Sequence, residues 1–256
     1  MRVFIFTVLF FSFLQSAEHS WIQLNAQGKY EFRIVGVDSC PSIECDGIGI
    51  ATQSRFEGSD GFRAKTCFAD VSNCSKVSFG GNTREIKKSI DKVAFIGDTG
   101  CRIKIGKKDK DKTSFQECSD PNAWSAKEIA QTIASMKPDL VVHVGDYNYR
   151  EKCDNKELCD KLGITSEDVG SGYNIWEKDF LEPFDSLLQS ATFVFVRGNH
   201  ENCDRSWEGY MSMLSPYPFA RCKNSDSGSR MFKNIPQDAY RVEIGGFKAV
   251  IADSAG

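Results

Sequence analysis

Residues 140–149, LVVHVGDYNY, run from an apolar segment directly into a polar turn, and this pattern decides the fold. A short, continuous apolar run is typical of a strand that is buried on both faces of a sheet. The same arrangement occurs at 93–100, VAFIGDTG, and at 193–201, FVFVRGNHE. Because a helical pattern separates each of these strands from the next, the sequence predicts an α/β fold.

The two intervening helices are predicted from their start signals and their apolar spacing. Ser125 and Glu128 match a capping box, and Pro138 marks the end of the first helix. Its apolar side consists of Ile129, Ile133 and Met136. A second helix is predicted from Asn174, with a kink at Pro183. Its apolar side consists of Trp176, Phe180, Phe184 and Leu187.

The segments on either side of this pattern indicate further β structure. Upstream, the β-rich stretches 21–24 and 30–35 are separated by clusters of Gly, Ser, Asp and Cys. We therefore expect a small, disulfide-stapled β domain over residues 18–90, with a packing or lid role or with direct contacts to substrate, and a larger domain over residues 91–256. Downstream, Gly245 and Gly246 predict a hairpin turn between two more strands.

Residues 1–17 have the composition of a secretory signal peptide. A positive start is followed by an apolar run over 3–14 and by the small residues Ser16 and Ala17. The run is short for a membrane span, so an uncleaved anchor is the less favoured alternative. No other segment of the sequence is long and apolar enough to span a bilayer, and no stable membrane span is expected.

The chain contains 10 cysteines, all after the predicted signal peptide. An even number in this context favours disulfides in an oxidising compartment, so we expect a secreted, periplasmic or otherwise extracytoplasmic protein. Neighbours in the sequence, such as Cys153 with Cys159 and Cys203 with Cys222, indicate local staples, while the full connectivity stays open. A zinc–cysteine cluster is the competing interpretation, but the spacings do not repeat a CxxC pattern.

The overall composition is that of an ordinary folded protein. The 256 residues are 41% hydrophobic and 26% charged, and they carry a net charge of −3. A general nucleic-acid binder would be basic overall, so no nucleic acid is expected as a structural partner.

The turns that follow the three strands carry four candidate metal ligands, Asp98, Asp146, Tyr149 and Asn199, and a candidate catalytic residue, His200. The carboxyl ends of adjacent strands in an open α/β sheet line the ligand crevice, so we expect these side chains to meet. Carboxylate, phenol and amide oxygens suit hard or borderline cations. Two such cations ~3.5–4 Å apart can bind both the attacking and the leaving oxygen of a phosphoryl transfer.

These three motifs, in this order, resemble the calcineurin-like metallophosphoesterases, and the resemblance covers residues 93–201. Many members carry a metal-binding histidine in the first motif, where this sequence has Gly100. Tyr149 instead stands three residues after Asp146, which is similar to the GDxxY motif of purple acid phosphatases. The tyrosine of that motif binds ferric iron, and a phenolate is a hard anionic donor that suits a trivalent cation.

The resemblance implies an αβ sandwich that hydrolyses phosphate monoesters by means of a metal-bound hydroxide. Its two metal ions would be iron together with zinc, manganese or a second iron. Asp98 and Tyr149 would hold the first ion, Asp146 would bridge both ions, and Asn199 would bind the second. His200 would position the ester or protonate its leaving oxygen.

Three arginines lie near the motifs and are candidate contacts for the phosphate group, namely Arg102, Arg150 and Arg197. The expected partner is a small-molecule phosphate ester, whose identity is open, as is the oligomeric state.

The sequence departs from the family pattern in its histidines. The family has further metal-binding histidines downstream, but this chain contains only His19, His143 and His200. We therefore expect the sandwich to be incomplete at its C-terminal side, apolar surface to be exposed, and metal binding and activity of this chain to be impaired. His143 lies inside a strand and is expected to pack in the core.

Two other functions stay open. A phosphodiesterase or nucleotidase of the same superfamily would use the same ligands and would differ in its pocket loops. A secreted, non-enzymatic binding protein would keep the scaffold without the metals. The missing histidines favour this second alternative, and the intact motifs oppose it.

Overall fold

Strands and helices alternate along the part of the chain that the structure describes. The structure is a computed structural model, and it describes residues 18–107, 113–222 and 237–253, so the predicted signal peptide lies outside it. The strands are β1 (His19–Leu24), β2 (Tyr30–Val37), β3 (Ser42–Cys45), β4 (Ile48–Ala51), β5 (Gln53–Phe56), β6 (Lys65–Asp70), β7 (Lys76–Phe79), β8 (Asn82–Glu85), β9 (Val93–Ile96), β10 (Ile103–Ile105), β11 (Ser114–Phe115), β12 (Leu140–His143), β13 (Arg150–Cys153), β14 (Thr192–Phe195), β15 (Tyr240–Ile244) and β16 (Phe247–Ile251). The helices are α1 (Ala126–Ser135), α2 (Lys156–Lys161), α3 (Tyr173–Trp176), α4 (Glu182–Leu188) and α5 (Trp207–Gly209).

The central sheet has seven strands in the order β5-β6-β2-β1-β14-β12-β9. Strands β9, β12 and β14 are parallel, and β1 runs parallel to β14 on its other side. The carboxyl ends of these strands therefore lie at the same edge of the sheet. This arrangement confirms the predicted α/β class.

Alternate side chains of the central strands enter two separate cores, as the period of two in a strand requires. Trp21, Val141 and Phe193 face the side on which the helices pack. Ile22 and Val142 face the opposite side. That side is covered by the smaller sheet β4-β3-β7-β8 and by the hairpin β15–β16. The fold is thus a layer of helices, a central sheet and a second layer of β structure.

The central sheet crosses the domain boundary that we predicted at residue 90. Strands β1, β2, β5 and β6 belong to the N-terminal segment, yet they are hydrogen-bonded into one sheet with β14. The expectation of a separate β domain over residues 18–90 therefore differs from the structure, since only β3, β4, β7 and β8 form a sheet of their own. The physical reason lies in β1, whose residues are all buried and need a partner strand on each side.

The second predicted helix is present as α3 and α4, joined by a π-turn over Glu177–Leu181. Pro183 has no N–H group to donate to the carbonyl of Asp179, and the wider turn lies directly before this proline. The apolar side of the helix is confirmed, because Trp176, Phe180, Phe184 and Leu187 are all fully buried.

Helix α1 begins where the sequence predicted, but two of its details differ. Ser125 makes no side-chain capping hydrogen bond. Ile129 and Met136 are 47% and 61% exposed, whereas Ala126 and Ala130 are buried in the core. The predicted capping box and the predicted apolar face are therefore wrong in these respects.

Strand β9 was expected to be buried, but it is an edge strand within the described residues. Its side chains are only partly covered, and Phe95 is 68% exposed. Val144 and Val250 are also exposed.

The predicted hairpin and the local disulfides are also confirmed. Gly245 and Gly246 have φ values of 49° and 94°, and a two-residue turn of type I′ needs both to be positive. All ten cysteines form disulfides, which excludes the zinc–cysteine cluster. The pairs are Cys40–Cys67, Cys45–Cys74, Cys101–Cys118, Cys153–Cys159 and Cys203–Cys222. Within the described ranges, none of the helices has the length and apolar character needed to cross a bilayer.

Candidate active site

Asp98 and Asp146 follow β9 and β12 and adopt the left-handed backbone conformation, with φ values of 54° and 62°. This conformation costs a residue other than glycine roughly 1–2 kcal/mol, and Asp tolerates it better than most. The two turns stabilise each other. The Asp98 N–H donates to the Gly145 carbonyl and the Thr99 N–H to the Asp146 carbonyl, each at 3.1 Å. The pairing of β9 with β12 thus continues into the site.

Glycines let the three turns approach one another closely. A Cβ atom on Gly198 would lie 2.1 Å from Asp146 Oδ1, so the turn after β14 sits directly against the turn after β12. A Cβ atom on Gly100 would lie 2.9 Å from the ring of Tyr149. The Tyr149 ring therefore occupies the space next to position 100.

The hydroxyl group of Tyr149 joins the two carboxylates. It donates a short hydrogen bond to Asp98 Oδ1 and lies 3.1 Å from Asp146 Oδ2. Burial, and then the neighbouring Asp98 and Asp146, raise the pKa of this phenol far above its ordinary value of 10.0. In the absence of a cation, the phenol therefore keeps its proton and shares it with the carboxylates.

Asn199 and His200 begin a short 3₁₀ turn after β14. The backbone N–H of His200 donates to Asp146 Oδ1 at 2.9 Å, which brings this third turn to the two others. The ring of His200 lies on the ring of Tyr149, with 3.9 Å between the centroids. Asn199, next to His200 in the chain, is exposed.

The imidazole of His200 borders a cavity of about 280 Å³. Its Nδ1 lies 3.2 Å from the carbonyl oxygen of Asn148, so the neutral ring carries its proton on Nδ1. Burial, and then the positive charge of Arg205, lower the pKa of His200, while Asp146 and Glu151 act in the opposite direction.

Comparisons with known proteins identify the family of the chain. The sequence pattern of the calcineurin-like phosphoesterases matches residues 91–249, which is more than half of the chain. The chain belongs to this family. A match among solved structures is the purple acid phosphatase PPD1 from seeds of yellow lupin (Lupinus luteus), with 19% identity and a TM-score of 0.41. That match covers 92% of this chain and 44% of the lupin chain, so the present chain spans less than half of that length. No curated protein matched the sequence.

A buried glutamate organises two of these turns. Glu201 accepts hydrogen bonds from the backbone N–H groups of Asp146 at 3.0 Å, Tyr147 at 2.9 Å, Asn148 at 3.3 Å and Gly198 at 3.1 Å. Burial raises the pKa of Glu201 to about 7, although these hydrogen bonds favour the ionised form. The sequence shows this residue in the GNHE motif but does not reveal its partners.

A second buried carboxylate, Asp179, contacts the turns after β9 and β12 from the π-turn between α3 and α4. Asp179 is not among the site residues predicted from the sequence. The available signal was an acidic residue beside the apolar side of a helix, three positions after Trp176.

The three candidate arginines take different positions in the structure. Arg102 lies over the ring of Tyr149, with its guanidinium carbon 4.1 Å from the centroid, and it borders a cavity of about 540 Å³ together with Asp98. Arg150 is buried and donates to Asp179. Arg197 is buried, and its guanidinium lies 2.7 Å from a carboxylate oxygen of Asp253. Their contacts with phosphate stay predictions.

His143 packs in the core, as expected, and ties two turns together. Its Nδ1 accepts a hydrogen bond from the Gly145 N–H at 3.2 Å, so Nε2 carries the proton and donates to Thr99 Oγ1 at 2.9 Å. The ring stacks on Tyr147 with 4.0 Å between the centroids.

The site residues fit part of a metal centre of the kind that the family implies. Asp98, Asp146 and Tyr149 bring together oxygen donors of the type that hard cations prefer, and a cation would replace the phenolic proton. Across the described ranges, His, Cys, Asp and Glu side chains do not form a ready group of three or more ligands. The individual ligand assignments, including that of Asn199, stay predictions.

Proposed function

We propose that this chain hydrolyses phosphate monoesters at a two-metal centre, with iron as the first metal and zinc, manganese or a second iron as the other. Membership of the family supports phosphoester hydrolysis as the class of reaction. The observation that carries the finer proposal is the contact of the Tyr149 hydroxyl with Asp98 and Asp146. When bound, the two ions supply an activated water at mild pH and neutralise the charge that develops on the phosphate.

The residues of the chain have separate roles in this proposal. Asp98 and Tyr149 would hold the first ion, Asn199 would hold the second, and Asp146 would be a ligand of both. His200 keeps a proton on Nδ1 against the Asn148 carbonyl. Its Nε2 is therefore the ring nitrogen that, once protonated, can donate a proton to the leaving oxygen. Arg102 supplies positive charge at the edge of the neighbouring cavity.

We also propose that the protein works outside the cytoplasm. Its five disulfides support this location, because such bonds persist in oxidising compartments. Residues 1–17 would direct the export.

The test uses protein with its disulfides formed, loaded with Fe³⁺ and Zn²⁺. We expect a visible tyrosinate-to-iron band and slow hydrolysis of p-nitrophenyl phosphate. We expect slow turnover because only a few proposed ligands are available to coordinate two metal ions. Tyr149→Phe should remove the band, and Asp146→Asn should remove the turnover. Tyr217→Phe is the matched control, because the Tyr217 hydroxyl donates to the Asp238 carbonyl and takes no part in the site.

Other outcomes would select the alternatives. Identical spectra for the wild type and Tyr149→Phe would remove Tyr149 from the metal centre. Faster hydrolysis of bis(p-nitrophenyl) phosphate than of the monoester would indicate a phosphodiesterase. Bound metal without any turnover above that of Asp146→Asn would indicate a binding protein.

A further inference from the structure

Asp179 is a fully buried carboxylate to which the proposed reaction assigns no role. It lies in the π-turn Glu177–Leu181 and is 0% exposed. Turns of this kind inside helices often occur at functional sites, because the wider turn redirects a side chain. Here the redirected side chain points from the helical layer to the carboxyl end of the central sheet, where the turns of the site lie.

The two oxygens of Asp179 connect the turns after β9 and β12. Oδ1 accepts a hydrogen bond from the Cys101 N–H at 3.2 Å, and Oδ2 accepts one from the Tyr149 N–H at 2.9 Å. The Nε of Arg150 donates to Oδ1 at 2.5 Å. A buried carboxylate is costly unless it is paired and hydrogen-bonded, and this arrangement meets both conditions.

Asp179 continues the backbone pattern that Glu201 begins. Glu201 accepts from the N–H groups of Asp146, Tyr147 and Asn148, and Asp179 accepts from the next one, that of Tyr149. Four consecutive N–H groups of the turn after β12 thus bind two buried carboxylates. The Cα position of Tyr149, from which its side chain extends to Asp98, is fixed by the last of these bonds.

We propose that Asp179 is a positioning residue of the metal centre, which places the Tyr149 hydroxyl against Asp98 by holding the backbone N–H groups of Tyr149 and Cys101. No contact places Asp179 against Asp98 or Asp146, so it acts through Tyr149. The role in metal binding rests on the proposed function, whereas the placement of Tyr149 is a property of the metal-free chain and is measured separately.

The test compares Asp179→Asn with Asp185→Asn. An asparagine keeps the shape but has one acceptor oxygen, so its NH₂ group would face one of the two backbone donors. Asp185 is the matched control because it lies in α4 of the same helical segment, and its carboxylate contacts His19 and Gln189. Asp179→Glu is a third variant, since it keeps the charge and both acceptor oxygens but is longer by one methylene group.

The first measurement uses metal-free protein. The hydroxyl proton of Tyr149 should give a low-field NMR signal, assigned by its absence in Tyr149→Phe, because it is hydrogen-bonded to Asp98. We expect Asp179→Asn to shift or remove this signal, Asp179→Glu to shift it less, and Asp185→Asn to leave it in place.

The second measurement is the affinity for Fe³⁺ together with the visible tyrosinate band. We expect at least a tenfold loss of affinity in Asp179→Asn, a smaller loss in Asp179→Glu and no change in Asp185→Asn. The thermal unfolding temperature of each metal-free variant separates a loss of fold from a loss of position.

The inference is overturned if folded Asp179→Asn keeps the wild-type NMR signal and band, even when its unfolding temperature is lower. Should that variant not fold, a wild-type signal and affinity in Asp179→Glu would overturn it equally. A chain that hydrolyses no ester but loses the Tyr149 signal in Asp179→Asn would contradict the proposed function and leave the positioning role standing.

Discussion

The turns of the candidate site, after β9, β12 and β14, and the N-terminal sheet β4-β3-β7-β8 are held together by different means. The N-terminal sheet is tied by a covalent bond, Cys45–Cys74, and by apolar contacts with the central sheet. The turns of the candidate site are held by hydrogen bonds from the backbone to two buried carboxylates, Glu201 and Asp179. A disulfide acts mainly by restricting the unfolded chain, whereas a buried hydrogen-bond network fixes atoms in the folded state. Stability and site geometry should therefore respond to different substitutions.

The largest expected effect is on the free energy of unfolding. Replacing both Cys45 and Cys74 by alanine opens a link with a sequence separation of 29. Chain entropy predicts that the free energy of unfolding, measured with a denaturant, falls by roughly 3.5 kcal/mol. The NMR signal of the Tyr149 hydroxyl proton should not change.

The matched control replaces Cys153 and Cys159, whose separation is 6. The shorter loop predicts a smaller loss, of roughly 2.3 kcal/mol. A change in the Tyr149 signal on removal of Cys45–Cys74 would contradict the separation of stability from site geometry.

The next largest effect should come from Glu201→Gln. The amide can satisfy only some of the four backbone N–H groups that the carboxylate accepts. Leaving such donors unpaired should lower the free energy of unfolding by about 2 kcal/mol and should also disturb the Tyr149 signal. The control Glu157→Gln, on the exposed surface of α2, should change neither the stability nor the NMR signal. An unchanged Tyr149 signal in Glu201→Gln would show that Glu201 does not fix the geometry of the site.

A smaller effect, measured as metal affinity, is expected for Gly198→Ala. The added Cβ would lie 2.1 Å from Asp146 Oδ1 and 2.2 Å from the Asp146 backbone nitrogen, so both the carboxylate and the turn that carries it would have to shift. We expect a loss of Fe³⁺ affinity of about tenfold, or about 1.4 kcal/mol, measured by titration. Gly49→Ala in β4 meets no atom within 4 Å and is the control. Equal affinity of the two variants would show that Asp146 can move without cost.

The smallest expected effect concerns pH. Burial lowers the pKa of His143 to about 3, so the unfolded chain binds a proton at this residue before the folded chain does. This contribution to stability is present above the ordinary pKa of 6.5 and is lost as the pH falls toward 3. Between pH 6 and pH 5 the wild type should lose about 1 kcal/mol more than His143→Gln, measured by denaturant unfolding at each pH. The prediction is wrong if the free energy of unfolding falls by the same amount in the wild type and in His143→Gln.

The parts of the fold with a strong local pattern could be predicted from the sequence. Short-range apolar spacing predicts β12, β14 and the helix that has Trp176 and Phe180 on its buried side. Turn chemistry predicts the Gly245–Gly246 turn. The convergence of Asp98, Asp146 and Tyr149 could be predicted as well, because parallel strands end at the same edge of a sheet.

Other features could not be predicted, because they depend on neighbours that are distant in the chain. The pairing of β1 with β14 joins Ile22 to Thr192, and no local pattern encodes it. The exposure of Phe95 depends on the edge position of β9, which an apolar run cannot distinguish from a central position.

The sequence by itself indicated the class of chemistry, because carboxylate, phenol and amide oxygens that follow three apolar strands suit cations wherever those strands meet. Only the tertiary structure decided how these side chains are held. The acceptors for the backbone of the turn after β12 come from Glu201 and from Asp179, which lies about 30 residues along the chain, in a helix. Hydrogen bonds between such distant groups depend on the packed positions of whole elements, which local propensity does not specify.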